Sequence, residues 1–332
     1  MYTLKREVLM RYIAFLMAAI TTVFVGTSPQ IAFAANVKIT PLGQVTGEFC
    51  KLDRAMIFED PNGTRILYDA GRTVAGTDDP RLGKIDVLLV THMHGDHVGD
   101  KHMKAVDSGT CEKPDLSVVV TPNSNTVNIA LAKKAKIVTG SEMPPFFANK
   151  LKALGGNPED SVLARFGATK TVGGVGISTV PAVHSNGLGP EYIGGELGDA
   201  MKAAGFAGYV GSATGYILRF SNGLVAYLSG DTGMTAEQES VVRGFYGAKL
   251  VVMNIGDTFT TGPKEAAYVV NELVKPASVI ASHANEVATK DGKVIVGTRT
   301  DIFQKSASMP VHIPLSGRAM EFDKGGKCVS GC

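Results

Sequence analysis

Short apolar runs edged by Gly, Pro, Asn or Asp recur along this chain and set most of its predicted elements. Runs of this kind, rich in β-branched residues, read as buried strands. Ile85–Val90, Ile177–Val183, Leu224–Leu228 and Ala277–Ala281 are the clearest, and Leu116–Val120 predicts another. Ala55–Glu59 and Thr64–Tyr68 flank the turn residues Asp60-Pro61-Asn62-Gly63 and predict a hairpin. Ile217–Phe220 and Leu224–Leu228 flank Ser221-Asn222-Gly223 as a second one.

Helical spacing is scarcer. Ala266, Val269, Val270, Leu273 and Val274 form a stripe, with Pro263 just inside its start and Pro276 just beyond its end. Asn125 to Lys136 has helical composition, whereas Pro144-Pro145 predicts a break in the less regular stretch from Thr139 to Gly156. Asn157 to Asp160 reads as a junction, and a second strand-rich half begins at Thr171. Between His184 and Gly215, Asn186 to Thr214 is a long glycine-studded stretch, read as a flap over a site with a short helix around Leu197 to Ala204. Pattern alone therefore predicts a mixed α and β chain.

The chemistry concentrates where one strand ends. Directly after Ile85–Val90 comes Thr91-His92-Met93-His94-Gly95-Asp96-His97, which carries three of the chain's seven histidines. His92 and His94, two apart in extended backbone, point to the same side and can grip one ion. Asp96 and His97, past the bend at Gly95, can turn to a second. Imidazole and carboxylate ligands suit zinc and related first-row divalent ions. Further candidates stand in equivalent places: His184 after Ile177–Val183, Asp231 after Leu224–Leu228, and His283 after Ala277–Ala281. Loops at one edge of a sheet scaffold can converge on one composite site.

HxHxDH after an apolar strand, followed by Thr179–Ser185 (TVPAVHS), Leu228–Gly233 (LSGDTG) and Val279–His283 (VIASH), resembles the metallo-β-lactamase superfamily over roughly residues 37 to 320. The branch it is most similar to is that of ascorbate-phosphate-lactonase-like metal-dependent hydrolases. The resemblance implies a four-layer αββα sandwich, an α/β fold with two sheets packed face to face. It implies two divalent ions, zinc first with manganese or iron as alternatives. His92, His94 and His184 would hold one, Asp96, His97 and His283 the other, and Asp231 would bridge them. It also implies an orienting role for Asp69, which as a strand-end residue reads equally as a turn Asp. Such an ion pair acidifies a bound water to near neutrality for attack on a carbonyl or phosphorus centre. Asp96 is the candidate catalytic residue for handling the proton. Ser185, Asn186, Thr232 and Asn285 flank ligands and are candidate substrate contacts, although each is also a small residue suited to turns. His102 is expected on the surface, and His312, between Pro310 and Pro314, is expected to be structural.

Composition adds the setting. Lys5, Arg6 and Arg11 precede an apolar run from Tyr12 to Val25, and Ala32-Phe33-Ala34 offers an A-x-A cleavage site. Residues 1–34 are thus expected to be a signal peptide and 35–332 the hydrolase domain, although the same run is nearly long enough for an anchor. Removing Lys5, Arg6, Arg11 and Glu7 from totals of 33 basic and 31 acidic residues leaves 30 of each. A near-neutral chain without a clustered basic face excludes a nucleic-acid footprint. Four cysteines suit an oxidising compartment. Of three possible pairings, Cys50–Cys111 with Cys328–Cys332 is the expected one.

The expected protein is a periplasmic or secreted hydrolase of a small ester, lactone, amide or phosphoester. A β-lactamase and a non-catalytic metal-binding protein are the alternatives. Its partner is a small-molecule substrate, with no nucleic acid and no stable membrane association once the leader is cleaved; an oligomer stays open.

Overall fold

The computed structural model describes residues 35–332, so the expected leader, residues 1–34, lies outside the described residues. Two large sheets organise the chain. The first has eight strands in the order Cys328–Ser330, Met320–Phe322, Val37–Pro41, Met56–Glu59, Arg65–Tyr68, Val87–Leu89, Lys136–Thr139, Ser161–Leu163. The second has seven, ordered Val311–His312, Ser278–Ser282, Leu250–Asn254, Val225–Leu228, Thr214–Arg219, Val175–Pro181, Thr169–Val172. The final strands return to the first sheet, beside Val37–Pro41.

Period-two alternation explains the layering, because successive strand residues face opposite sides. In the first sheet Val87 and Leu89 face the second sheet with Phe58 and Tyr68, while Leu88 turns outward with Ile57, Leu67 and Ile137 onto Val127 and Phe147. In the second, Leu250 and Val252 face inward, while Val251 and Met253 pack outward against Val242, Val269 and Phe303. Three apolar layers thus alternate with helix, sheet, sheet and helix, which is the αββα sandwich. Strands buried on both faces need apolar residues throughout, which is why they read as unbroken runs.

Several local expectations are corrected. Pro144 and Pro145 do not break a helix; they open one, Met143–Ala153, in the first turn, where proline costs no hydrogen bond. Leu116–Val120 contributes only the two-residue strand Val118–Val119, paired with Lys101–His102 outside the main sheets. The sheet strand of that region is Lys136–Thr139, parallel to Val87–Leu89, and it follows the helix Asn125–Lys133 that Ser124 caps. The junction is a single turn at Pro158–Asp160, and the strand after it still belongs to the first sheet. The helical stripe forms Pro263–Tyr268 and continues as a wider π-type turn over Val269–Val274.

Asn186 to Thr214 folds into helices Pro190–Ile193 and Gly195–Ala203 between the paired strands Gly187–Leu188 and Gly208–Tyr209. Tyr192 anchors this arch in the helical layer of the first sheet, edge-on to Phe146, and its carbonyl accepts a hydrogen bond from Lys150 Nζ at 2.7 Å. Both expected disulfides, Cys50–Cys111 and Cys328–Cys332, are formed. His312 packs edge-on against Phe322, as a structural residue should. His102 departs from expectation: it is buried, with its Nδ1–H donating to the Met103 carbonyl at 2.8 Å. Among the described residues, no helix is long and apolar enough to cross a membrane.

Candidate metal centre

Strand direction brings the candidate ligands to one edge. Val87–Leu89 runs parallel to Arg65–Tyr68, so Asp69 and the His92–His97 loop leave the first sheet at the same end. In the second sheet Val225–Leu228, Leu250–Asn254 and Ser278–Ser282 are mutually parallel. Val175–Pro181 is antiparallel to Thr214–Arg219, which is antiparallel to Val225–Leu228, so it points the same way. His184, Asp231 and His283 all follow carboxyl ends of these strands. Gly230 lets the Asp231 loop fit: its φ is +61°, and a Cβ there would meet the Thr91 side chain and the Thr214 carbonyl at 3.0 Å. Asn254 holds the same loop from behind, donating to the Thr232 carbonyl at 3.0 Å and accepting from Ser229 Oγ at 2.8 Å. His283 sits at φ +51°, a strained position for a non-glycine residue.

All seven predicted ligands meet. His92 Nε2 lies 2.9 Å from His94 Nδ1, which lies 3.3 Å from His184 Nε2. A tetrahedral ion about 2.0–2.1 Å from each nitrogen would set such atoms roughly 3.3–3.4 Å apart. A second cluster joins Asp96, His97 and His283, with Asp96 Oδ2 at 3.7 Å and 3.6 Å from the two Nε2 atoms. Asp231 Oδ2 stands between the clusters, 3.8 Å from His184 Nε2, 3.9 Å from His92 Nε2, 3.3 Å from His97 Nε2 and 3.1 Å from His283 Nε2. His97 Nε2 and Asp231 Oδ1 are buried with no hydrogen-bond partner. Orphaned buried polar atoms are costly unless a cation meets them, so these donors fit divalent metal.

The electrostatics agree. Burial, then the neighbouring His97 charge, holds His92 well below the ordinary imidazole value, and burial also lowers His94 and His184. Lowered imidazoles are neutral, with a lone pair to give a metal. Burial disfavours a charged His97, but Asp231, Asp69 and Asp96 outweigh it and raise its pKa to about 10. Burial likewise opposes ionisation of Asp231, and His283 and His97 overcome it and hold Asp231 well below the carboxylate range. The cluster thus asks for positive charge at its carboxylates.

Orienting contacts surround the ligands. Asp69 Oδ2 accepts from His97 Nδ1 at 2.8 Å and from Thr91 Oγ1 at 2.9 Å, so Asp69 has the orienting role as well as the turn position. Ser185 Oγ is 3.4 Å from His94 Nε2. Of the four flanking residues expected near substrate, Ser185 and Asn285 line the adjoining cavity, which is about 300 Å³. The other two are structural: Asn186 Oδ1 accepts from the Met93 amide at 2.8 Å, and Thr232 Oγ1 from the Val183 amide at 3.0 Å. Leu52 and Phe259 supply apolar rim, and no residue of the 187–214 arch is among those that line it.

Residues 64–284 match the Beta-lactamase superfamily domain. The chain belongs to that superfamily. Its relatives include a UPF0173 metal-dependent hydrolase of Cupriavidus taiwanensis, 30% identical over 253 residues, covering 73% of this chain and 73% of the relative. Another, from Koribacter versatilis, is 28% identical over 236 residues, covering 70% of this chain and 82% of the relative. In fold, the superfamily chain is similar to Igni18, a metallo hydrolase of Ignicoccus hospitalis (TM-score 0.56, 21% identity, 87% of this chain and 99% of that one).

Leu52, Arg72 and Phe259 of the cavity wall escaped the sequence reading, and so, in contact with the ligands themselves, did Arg54. Its guanidinium, 3% exposed, reaches Asp96 Oδ2 at 2.8 Å. The signal was in the hairpin. Met56 pairs with Tyr68 in antiparallel register, so the residues just before Met56 lie beside Asp69, at the ligand edge.

Proposed function

We propose that this chain is an exported metal-dependent hydrolase of small esters, lactones, amides or phosphoesters, with subsites for two divalent ions. The observation that carries this reading is the convergence of five imidazoles and two carboxylates from four loops on one edge, beside a cavity of about 300 Å³. That volume lies at the small end of ligand pockets and suits a small molecule. The basic, apolar and A-x-A segments of residues 1–34 and the two disulfides support export.

His92, His94 and His184 would hold one ion and Asp96, His97 and His283 the other, with Asp231 facing both. Zinc is the first choice, and manganese or iron suits the same donors. Bound divalent ions supply Lewis acidity and an acidified water. The protein's own part is orientation and proton handling. Asp69 holds the His97 ring through Nδ1, which leaves Nε2 turned to the centre. Asp96 is kept ionised: burial opposes its charge, but Arg54 and His97 hold it well below the carboxylate range. It also opens to the cavity, so we give it the second task of accepting a proton. Ser185 and Asn285 are placed to meet the polar end of a substrate, with Phe259 and Leu52 against its apolar part.

The test is a panel of lactones, β-lactams and phosphodiesters offered to the purified mature chain, metal-loaded, beside His94→Ala. Turnover that vanishes in the variant supports the hydrolase. Tight metal binding with no turnover across the panel would instead favour a metal-binding protein. Asp96→Asn with its metal content intact and full turnover would remove the proton role.

A further inference from the structure

Arg54 places a fixed organic cation on the second cluster. One guanidinium nitrogen, Nη2, lies 2.7 Å from His283 Nε2, 2.8 Å from Asp96 Oδ2 and 3.2 Å from Asn285 Oδ1. Guanidinium offers only donors and a fixed positive charge, so this nitrogen sets a cation against the very atoms that an ion in the second subsite would use. An ion entering there must approach Asp96 Oδ2 and His283 Nε2 against that charge or displace it. The first cluster has no such competitor: His92 Nε2, His94 Nδ1 and His184 Nε2 face one another.

The arginine is held there. Its Nη1 donates to the Leu52 carbonyl at 2.9 Å, and the side chain is 3% exposed. The preceding loop is pinned twice. Asp53 accepts from the Gln44 and Cys50 amides, each at 2.8 Å, and Cys50 is disulfide-bonded to Cys111. A guanidinium remains charged at any pH a protein meets, and moving it off Asp96 would leave a buried charge in search of a partner.

We infer that Arg54 makes the two metal subsites unequal: the three-histidine subsite loads tightly, and the Asp96–His97–His283 subsite takes an ion only against the guanidinium. The inference deepens the metal-centre reading but does not depend on turnover. In the singly loaded protein, Arg54 supplies at the second subsite part of the positive charge that an ion would otherwise bring.

Zinc titration of the metal-stripped mature chain tests this, with stoichiometry by elemental analysis after dialysis and affinities by competition with a chromophoric chelator. Wild type is expected to retain one zinc per chain and to bind a second far more weakly. Arg54→Met keeps much of the bulk and removes both donor and charge, so its second zinc should bind about 10–100-fold more tightly, the scale on which outer partners tune metal sites. Arg54→Lys should stay close to wild type. Should Arg54→Met fail to fold, Arg54→Gln removes the charge with a smaller change in polarity. Two zinc ions bound by wild type with comparable affinity overturn the inference, as does an unchanged second affinity in the neutral variants. Neither result bears on the hydrolase reading, which the substrate panel decides.

Discussion

Asp69 Oδ2 and His97 Nδ1 stand 2.8 Å apart, both buried, at the point where two parallel strands of the first sheet release their loops. The pair converts sheet register into ligand orientation. Asp69 itself is bent into the left-handed region at φ +42°, so its carboxylate can reach both the Thr91 amide and the His97 ring. Asn tolerates that backbone and has nearly the same shape. Asp69→Asn should therefore keep the fold but weaken the carboxylate's hold on the ring, and lower metal affinity by about 10–100-fold. Chelator competition on both proteins measures it. Equal affinities would leave Asp69 as a turn residue only.

Metal should also hold the fold together. An ion that binds only the folded state adds about 2.7 kcal/mol when it is present at 100 times its dissociation constant. For a chain of this size that corresponds to a rise in Tm of about 5 °C. Stripping with a chelator should lower Tm by that order and zinc should restore it, while His184→Ala should respond weakly to either treatment. A wild-type Tm indifferent to chelator and zinc would mean that the ligands gather without metal.

Much of this architecture was legible because it is local. His92, His94, Asp96 and His97 lie within six residues, and their strand is a bare apolar run. Asp231 and His283 were legible because each ends such a run, and parallel pairing carries both to one edge. What stayed hidden depends on contacts distant in sequence. Arg54 reaches His283 across 229 positions, and only the antiparallel register of Met56 on Tyr68 locates it. His102 looked like a surface residue because its burial comes from the Gly76 loop, against which its ring packs. Pro144-Pro145 misled because the same residue type ends a helix from within and starts one from its first turn.

The two disulfides should differ in weight. Cys50–Cys111 joins residues 61 apart and ties the Arg54 loop to the excursion before the helix Asn125–Lys133. Cys328–Cys332 spans only 4 at the chain's end. Loop-closure entropy grows with the enclosed length, so removing the first by paired serine substitution should cost about 4 kcal/mol, and the second considerably less. Urea unfolding of the two double variants separates them. Equal losses would contradict the entropic account.

Asp53 gives the stability of the fold a pH dependence of its own. Its carboxyl is buried at 4% exposure, and that burial raises its pKa from 3.8 to about 6 despite the opposing Cys50 and Gln44 amides. The folded chain therefore holds this proton more tightly than the unfolded chain. The resulting stabilisation reaches its full value of about 3 kcal/mol only well below the unfolded value of 3.8 and is lost as pH rises through 6. Asp53→Asn is neutral throughout and lacks that slope. It has a constant cost, because a single amide oxygen must serve two backbone donors, at Gln44 and Cys50. The stability of wild type minus that of Asp53→Asn should thus fall by about 2.4 kcal/mol between pH 4 and pH 7. Urea unfolding at both pH values, with chelator present throughout, isolates this term from metal binding. Parallel profiles would show that Asp53 ionises in the fold as readily as in the open chain, and that its two amide bonds fully offset its burial.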